Sequence, residues 1–403
     1  MNFLEEISKS DYETLENKSY YSDRELSALY VRNAFVLPVK YVEDSRYDGP
    51  IFGEGGVLDE KLNYIKNSAQ IAANMRNRVS GGYSFDYNKV KTVHSKVIYM
   101  NYFIHQWGHF LIDVINRLWF AVVNKDFPIV YTSNINENDI IAGNYLELLK
   151  LLGVDEERLI LVNEVTQFDE VIIPDASIIP GDSYTKEYTE LFSTIVKNCH
   201  LQKSGKGKIY CSRALLDSKK ESGEYQIETI YNRNGYVSVN LETMTLKEQI
   251  SALNQAKEIA MVNGSLAHNL LFVKSNPLVT IINKTYRINL HQFLIDSISQ
   301  AKIIYVDAYI SPMPVLYGRG PFIIRITPEF LSYCQYMGYD ISGIRVNTKL
   351  STCEKAMYYL HWVYSYKWYL LKHRKIEEGG FDKDYSLIRE QYRKSQNMGK
   401  KRE

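Results

Sequence analysis

From Lys208 to Asp307 the chain repeats one pattern: a short apolar run, a polar turn, then a segment whose apolar residues recur every three or four positions. The runs KIYCSR, VSVN, EIAMVN, LVTIIN and KIIYVD alternate with EYQIETIYNRNG, TLKEQISALNQA, SLAHNLLF and LHQFLIDSISQ. Short apolar runs read as buried strands and the longer periodic segments as helices. Strands joined through helices run parallel, and a parallel sheet needs both faces covered. That requirement fixes the fold class as α/β.

A looser version of the pattern precedes it. We expect a helix over 108–123, a strand at PIVYT, a helix at NYLELLKLLG ended by Gly153, strands at RLILVN and DEVIIP, and a helix near 185–198. The first hundred residues read mostly as short strands and turns, as in YVRNAFVLPVKYV and GPIFGEGGVLDE. The small and basic stretch LQKSGKGKIYCSR separates the two series. The expected organisation is therefore two facing Rossmann-like halves, 1–200 and 201–350, followed by a helical segment 351–403, with ligand at the carboxyl ends of the strands.

Composition narrows the function. With 48 Lys and Arg against 47 Asp and Glu, the 403-residue chain has a formal charge of +1, so no overall field draws it to nucleic acid. The start MNFLEEISKS is acidic where a signal peptide would be basic and then apolar, which gives a cytoplasmic expectation. Cys199, Cys211, Cys334 and Cys353 form no CxxC pair, which fits reduced thiols. The 33 tyrosines suit sugar binding and an ordinary core equally.

Candidate site residues lie at strand ends and on one helix. Ser212 and Arg213 close KIYCSR, where a guanidinium pairs well with phosphate oxygens. Asn263, Gly264 and Ser265 form a turn between a strand and an expected helix near Leu266, whose free N–H groups would favour phosphate. In HQWGHFLIDVINRLW, helical spacing places His105, His109 and Asp113 on one face. Two His four apart can ligate zinc, which would make a hydrolase of the chain, but the Glu of HExxH is absent. The plainer alternative is a buried stripe of Phe110, Leu111, Val114, Ile115, Leu118 and Trp119 with His109, Asp113 and Arg117 as its polar edge. No DxD follows an apolar strand, so neither a metal nor another cofactor is expected.

Four motifs together, GEGGVLD with Glu54, WGHFLIDVINRLW from Trp107, KIYCSR, and NGSLAHNLLF, resemble glycosyltransferase family 61, including bacterial members from surface-polysaccharide clusters; the resemblance runs from about residue 50 to about 310. It implies a GT-B-like architecture and an inverting hexosyl- or pentosyltransferase that needs no metal. The donor would be a nucleotide sugar and the acceptor a glycan or lipid-linked glycan. It further implies a donor site of Ser212, Arg213, Asn263, Gly264, Ser265, His268 and Asn269, and an acceptor side of Trp107, Arg117 and Glu54. Asp113 is the expected base with His109 assisting, or the reverse. The chain departs from the family at Asn263, where many members have His, and at Asn283, where an acidic residue often ends the strand. Those departures leave a non-catalytic glycan-binding relative as a further alternative.

The end of the chain is distinct. AMYYLHWVYSYKWYLLKHRK holds seven Tyr and Trp residues beside a basic run. Such a segment suits either packing back across the first domain or peripheral contact with the inner face of a membrane.

Overall fold

The computed structural model describes residues 1–41, 53–72, 76–135, 139–201, 207–213 and 221–372, so the basic end of the expected helical segment, 373–403, lies outside the described residues. The repeating region forms a five-stranded, all-parallel sheet in the spatial order Tyr236–Val239, Gly207–Cys211, Ala256–Val262, Leu278–Asn283, Lys302–Asp307. In chain order this is 2-1-3-4-5, so the direction of winding reverses between Gly207–Cys211 and Ala256–Val262. Ligands of open α/β sheets sit beyond the strand ends at such a reversal. Alternate side chains feed two cores, as parallel strands covered on both faces require: Ile259, Met261, Val279 and Ile281 face one way, and Ala260, Val262 and Ile282 the other. Helix Leu246–Gln255 begins with a capping box, Thr245 accepting from the Glu248 N–H and Glu248 from the Thr245 N–H.

The first half contains a mixed eight-stranded sheet. Thr166–Pro174, Lys91–Tyr102, Ile129–Thr132 and Leu159–Val162 run parallel, and Ala28–Tyr41 joins them antiparallel, carrying the shorter strands beyond it. Helices lie between the sheets. One apolar cluster runs from Ile98, Met100 and Ile129 of the first sheet, through Phe110, Leu148, Phe192, Leu246 and Leu253, to Met261 and Ile281 of the second.

Two segments pack away from their expected places. Residues 1–16 join the second sheet: Phe3 bridges Val306, the Glu5 N–H donates to Asp307, and Tyr12 on helix Glu6–Glu16 packs on Phe293 and Tyr305. That helix was not expected, because EISKSDYETLE offers few apolar positions to mark a face. Helix Thr352–Lys372 docks its described contacts on the second half too, not on the first: Tyr358, Trp362 and Tyr366 pack with Ile310, Val315, Phe322 and Ile323. Trp362 donates to the Pro314 carbonyl and Tyr366 accepts from the Leu316 N–H.

Candidate active site

The stretch from Trp107 to Val123 is helical throughout but changes its winding: α at Trp107–His109, π at Phe110–Val114, 3-10 at Ile115–Arg117, and α again at Leu118–Val123. A stripe-and-edge reading fails here, since every residue from Phe110 to Leu118 is buried, Asp113, Asn116 and Arg117 included. A helix buried all round is one enclosed by other elements. Carbonyls released by the irregular turns need new donors. Asn101 donates to the carbonyls of Asp113 and Val114, Gln70 to that of Asp113, Tyr188 to that of Leu111, and Ser177 to that of Asn116. Asp113 is thereby fixed in place from both sides.

Its carboxylate meets a residue that sequence reasoning missed. Arg78 Nε donates to Asp113 Oδ2 at 2.7 Å, and both side chains are almost completely buried. His109 Nδ1 lies 3.2 Å from Asp113 Oδ1 and 3.3 Å from Arg78 Nη2. The two contacts demand opposite roles of one nitrogen, and a proton on Nδ1 directed to Asp113 leaves Nε2 as the open lone pair. Burial alone would push the Asp113 carboxyl up; Arg78 and His109 outweigh it and hold it down at about 2. His109 remains about a quarter exposed. His105 is exposed and packs on Phe103 and Tyr145, apart from this pair, and among the described residues no three His, Cys, Asp or Glu side chains are grouped to hold a metal.

The second half contributes the opposite wall. What was expected as a helix near Leu266 is a six-residue 3-10 turn, Ala267–Phe272, so it has no substantial dipole to offer a phosphate. Its His268 packs directly on Gly108, where any Cβ would come within 2.9 Å of the imidazole Nδ1; that contact explains the glycine in WGH. His291, on helix Leu290–Ile298, lies with its ring centroid 6.2 Å from that of His268. Burial, with His291 and His109 nearby, lowers His268 to about 3, and burial, with His109 and Arg78, lowers His291 to about 4. Both imidazoles are neutral at physiological pH.

Asn289 donates to His268 Nε2 and to the Tyr317 hydroxyl, each at 3.3 Å, and Tyr317 donates to Asn263 Oδ1 at 2.7 Å. The network continues across strand ends: Asn263 Nδ2 donates to Asn283 Oδ1 at 2.9 Å and Asn283 Nδ2 to Asp307 Oδ1 at 2.7 Å. The two departures from the family pattern are thus one hydrogen-bonded pair. An amide supplies the donor and the acceptor that this chain of bonds requires at each step.

Cations gather beside Gly264. A Cβ there would lie 2.6 Å from Arg213 Nη1 and 3.5 Å from Lys284 Nζ. Arg213 and Lys284 both pair with Glu221, the Arg213 contact being 3.4 Å, and Arg213 Nε is buried without a protein acceptor. Glu224 fixes the position of Arg213 by accepting its N–H at 3.1 Å.

Other expected site residues are engaged elsewhere. Arg117 is 2% exposed and donates to Asn101 and to the carbonyls of Asn67, Ala69 and Pro174. Ser212 is buried and donates to Glu228, Asn269 bridges Trp107 and Gln249, Ser265 is exposed next to Gly108, and Glu54 is exposed on Gly53–Leu58.

Residues 107–282 match the model of the family Glycosyltransferase 61. The match supports glycosyltransferase family 61 for the stretch that carries His109, Asp113, Arg213 and Asn263. That match supports a glycosyltransferase, which uses donor and acceptor substrates in general. A comparison with curated proteins gave no match. The matched segment includes His109, Asp113, Arg213 and Asn263 but stops short of Lys284, Asn289, His291 and Tyr317, and begins after Arg78. Lys284 directly follows strand Leu278–Asn283, so the strand-end rule that selected Arg213 and Asn263 would have found it. Nothing in the local sequence distinguishes Arg78.

Proposed function

We propose that this glycosyltransferase is an inverting enzyme that moves a sugar from a nucleotide-sugar donor to a hydroxyl of a glycan acceptor, in the building of cell-surface polysaccharide on the inner side of the membrane, with the two halves acting in the manner of GT-B enzymes. The observation that carries this reading is the pairing of an Asp–His couple on one wall with two cations at the sheet's reversal point on the other.

Roles follow from the electrostatics. A carboxylate held at about 2 by a buried arginine is a poor proton acceptor near neutrality. His109 is the better base: Asp113 orients it through Nδ1, and Nε2 takes the proton from the acceptor hydroxyl. The hydroxyl oxygen then bonds to the anomeric carbon as the bond from that carbon to the diphosphate breaks, and its electron pair leaves with the diphosphate. Arg213 and Lys284 stabilise that growing charge, exchanging their shared carboxylate Glu221 for phosphate oxygens. His268, Asn289 and Tyr317 form one hydrogen-bonded line along the second wall, with His268 against Gly108 of the first, and shape the sugar's place.

A thermal-shift panel of nucleoside diphosphates and nucleotide sugars tests this. One of them raises the melting temperature, since a ligand at 100 times its Kd stabilises by about 2.7 kcal/mol. If none does while the protein is folded, the donor assignment fails.

A further inference from the structure

Among its described side chains, helix Thr352–Lys372 is docked by one side. Tyr358, Trp362 and Tyr366 are buried, spaced four apart, on the underlying 310–323 segment. The opposite side presents Met357 at 63% exposure, Tyr359 at 42%, Leu360 at 68% and Val363 at 52%, with Ala356 exposed between them. Helical geometry spreads these five over roughly half of the circumference. The run from Ala356 to Tyr366 contains no charged residue. Apolar side chains grouped in this way on a water-facing surface mark a place where something else is met.

The charge that follows identifies what. From Ser365 to Glu403 there are eleven Lys or Arg and six Asp or Glu, an excess of five positive charges in a chain whose total is +1. The remaining 364 residues are therefore net negative by about four, so the attraction toward an anionic surface is concentrated in the stretch that follows the exposed residues in sequence. An apolar helix face flanked by basic residues is the arrangement that lies in the headgroup region of an anionic bilayer. No helix among the described residues is long and apolar enough to cross a membrane.

We infer that the exposed side of helix Thr352–Lys372 docks this protein onto an anionic lipid surface, the apolar residues entering the interface and the basic tail holding the headgroups. The occupant is the lipid surface and not a second copy, because a basic tail repels its own copy and complements anionic lipid. The same helix bears on the active site: Tyr366 accepts from the Leu316 N–H, one residue before Tyr317, which hydrogen-bonds Asn263 and Asn289. The helix therefore stands between a surface bound on its exposed side and the segment that carries a site residue. The lipid contact stands on the helix and the tail alone, independent of the transferase roles above.

The test is co-sedimentation of the full chain with vesicles of phosphatidylglycerol and phosphatidylcholine, against vesicles of phosphatidylcholine only, at low and high salt. The full chain should bind the anionic vesicles at low salt and at least tenfold less to the neutral ones, with binding falling as salt rises. Leu360→Glu and, separately, Met357→Glu should each lower the partition at least tenfold while leaving the circular dichroism melt unchanged, as exposed positions permit. Lys400→Gln, Lys401→Gln and Arg402→Gln together should remove salt sensitivity before they remove binding. Absence of binding to anionic vesicles at low salt overturns the proposal, as does binding that both Glu variants retain. A full chain that ignores vesicles but is a dimer by light scattering, and a monomer as Leu360→Glu, assigns the face to a second copy and equally overturns it.

Discussion

Arg213, Asn263, Asn283 and Asp307 stand at or just past the ends of regular parallel strands, whereas His109 and Asp113 stand on a helix that changes its winding three times in seventeen residues. The two walls of the site hold their polar groups by different means. On the strand side, backbone register brings the amides to one level, and Asn283 is paired directly with Asp307 in the ladder. On the helix side, a π turn re-aims Asp113 and five side-chain donations to freed carbonyls keep it there. Regular elements place a functional group by topology; irregular ones need a dedicated shell of neighbours.

The largest expected effect lies on the helix wall. Asp113→Asn breaks the buried ion pair with the Arg78 guanidinium, and breaking a buried pair in this way typically costs about 3–5 kcal/mol. Urea denaturation checks it, and a melt equal to that of the parent would place the stabilising charge elsewhere. Replacing Arg78 by Met in the same variant should restore part of the loss, because the buried guanidinium charge is then removed as well.

Acid separates the walls next. The unfolded chain takes protons on histidine near 6.5, while folded His268 and His291 resist them until about 3 and about 4. Stability contributed by both is complete above about pH 6.5 and falls as pH drops, each group changing it by up to about 1.4 kcal/mol per pH unit. Asp113 adds to the loss in the same direction, between its ordinary 3.8 and about 2. His268→Gln should flatten the stability profile between pH 4 and 6.5 as measured by thermal melts; an unchanged slope would mean that the imidazole is accessible to protons.

On the strand wall the expected effects are smaller. Arg213→Ala should weaken nucleotide affinity by about 1.5–3 kcal/mol, the usual worth of a hydrogen bond to a charged group, with little change in the melt of the free protein. Asn263→Ala and Asn283→Ala should each destabilise, and the double variant should lose less than their sum by about 0.5 kcal/mol or more, because the two share one bond. Strict additivity would show that the pair does not act as a unit.

The same contrast explains what was legible in the sequence. The alternation of apolar runs announced the parallel sheet, and the strand-end rule then pointed to Arg213 and Asn263. It also announced a helix at WGHFLIDVINRLW but with the wrong periodicity, because a π turn shifts every later side chain around the axis and the helix is buried on all sides. Arg117, expected at the site's edge, is for that reason turned into the first half's backbone carbonyls. Arg78 and His291 were invisible because they reach the site from elements distant in sequence, 35 residues in the case of the Arg78–Asp113 contact. SLAHNLLF read as an α-helix, yet its close approach to Gly108 and its burial favour a tight 3-10 turn.

The claim that one wall performs the chemistry and the other holds the donor is tested most directly by His109→Ala, with turnover measured alongside the calorimetric Kd for the nucleoside diphosphate. Removing a general base should lower kcat by about 10²–10⁴-fold while the Kd stays within about twofold of the parent value, since no phosphate contact is lost. Near-normal turnover, or a loss of nucleotide affinity as large as that of Arg213→Ala, would contradict the division of labour between the two walls.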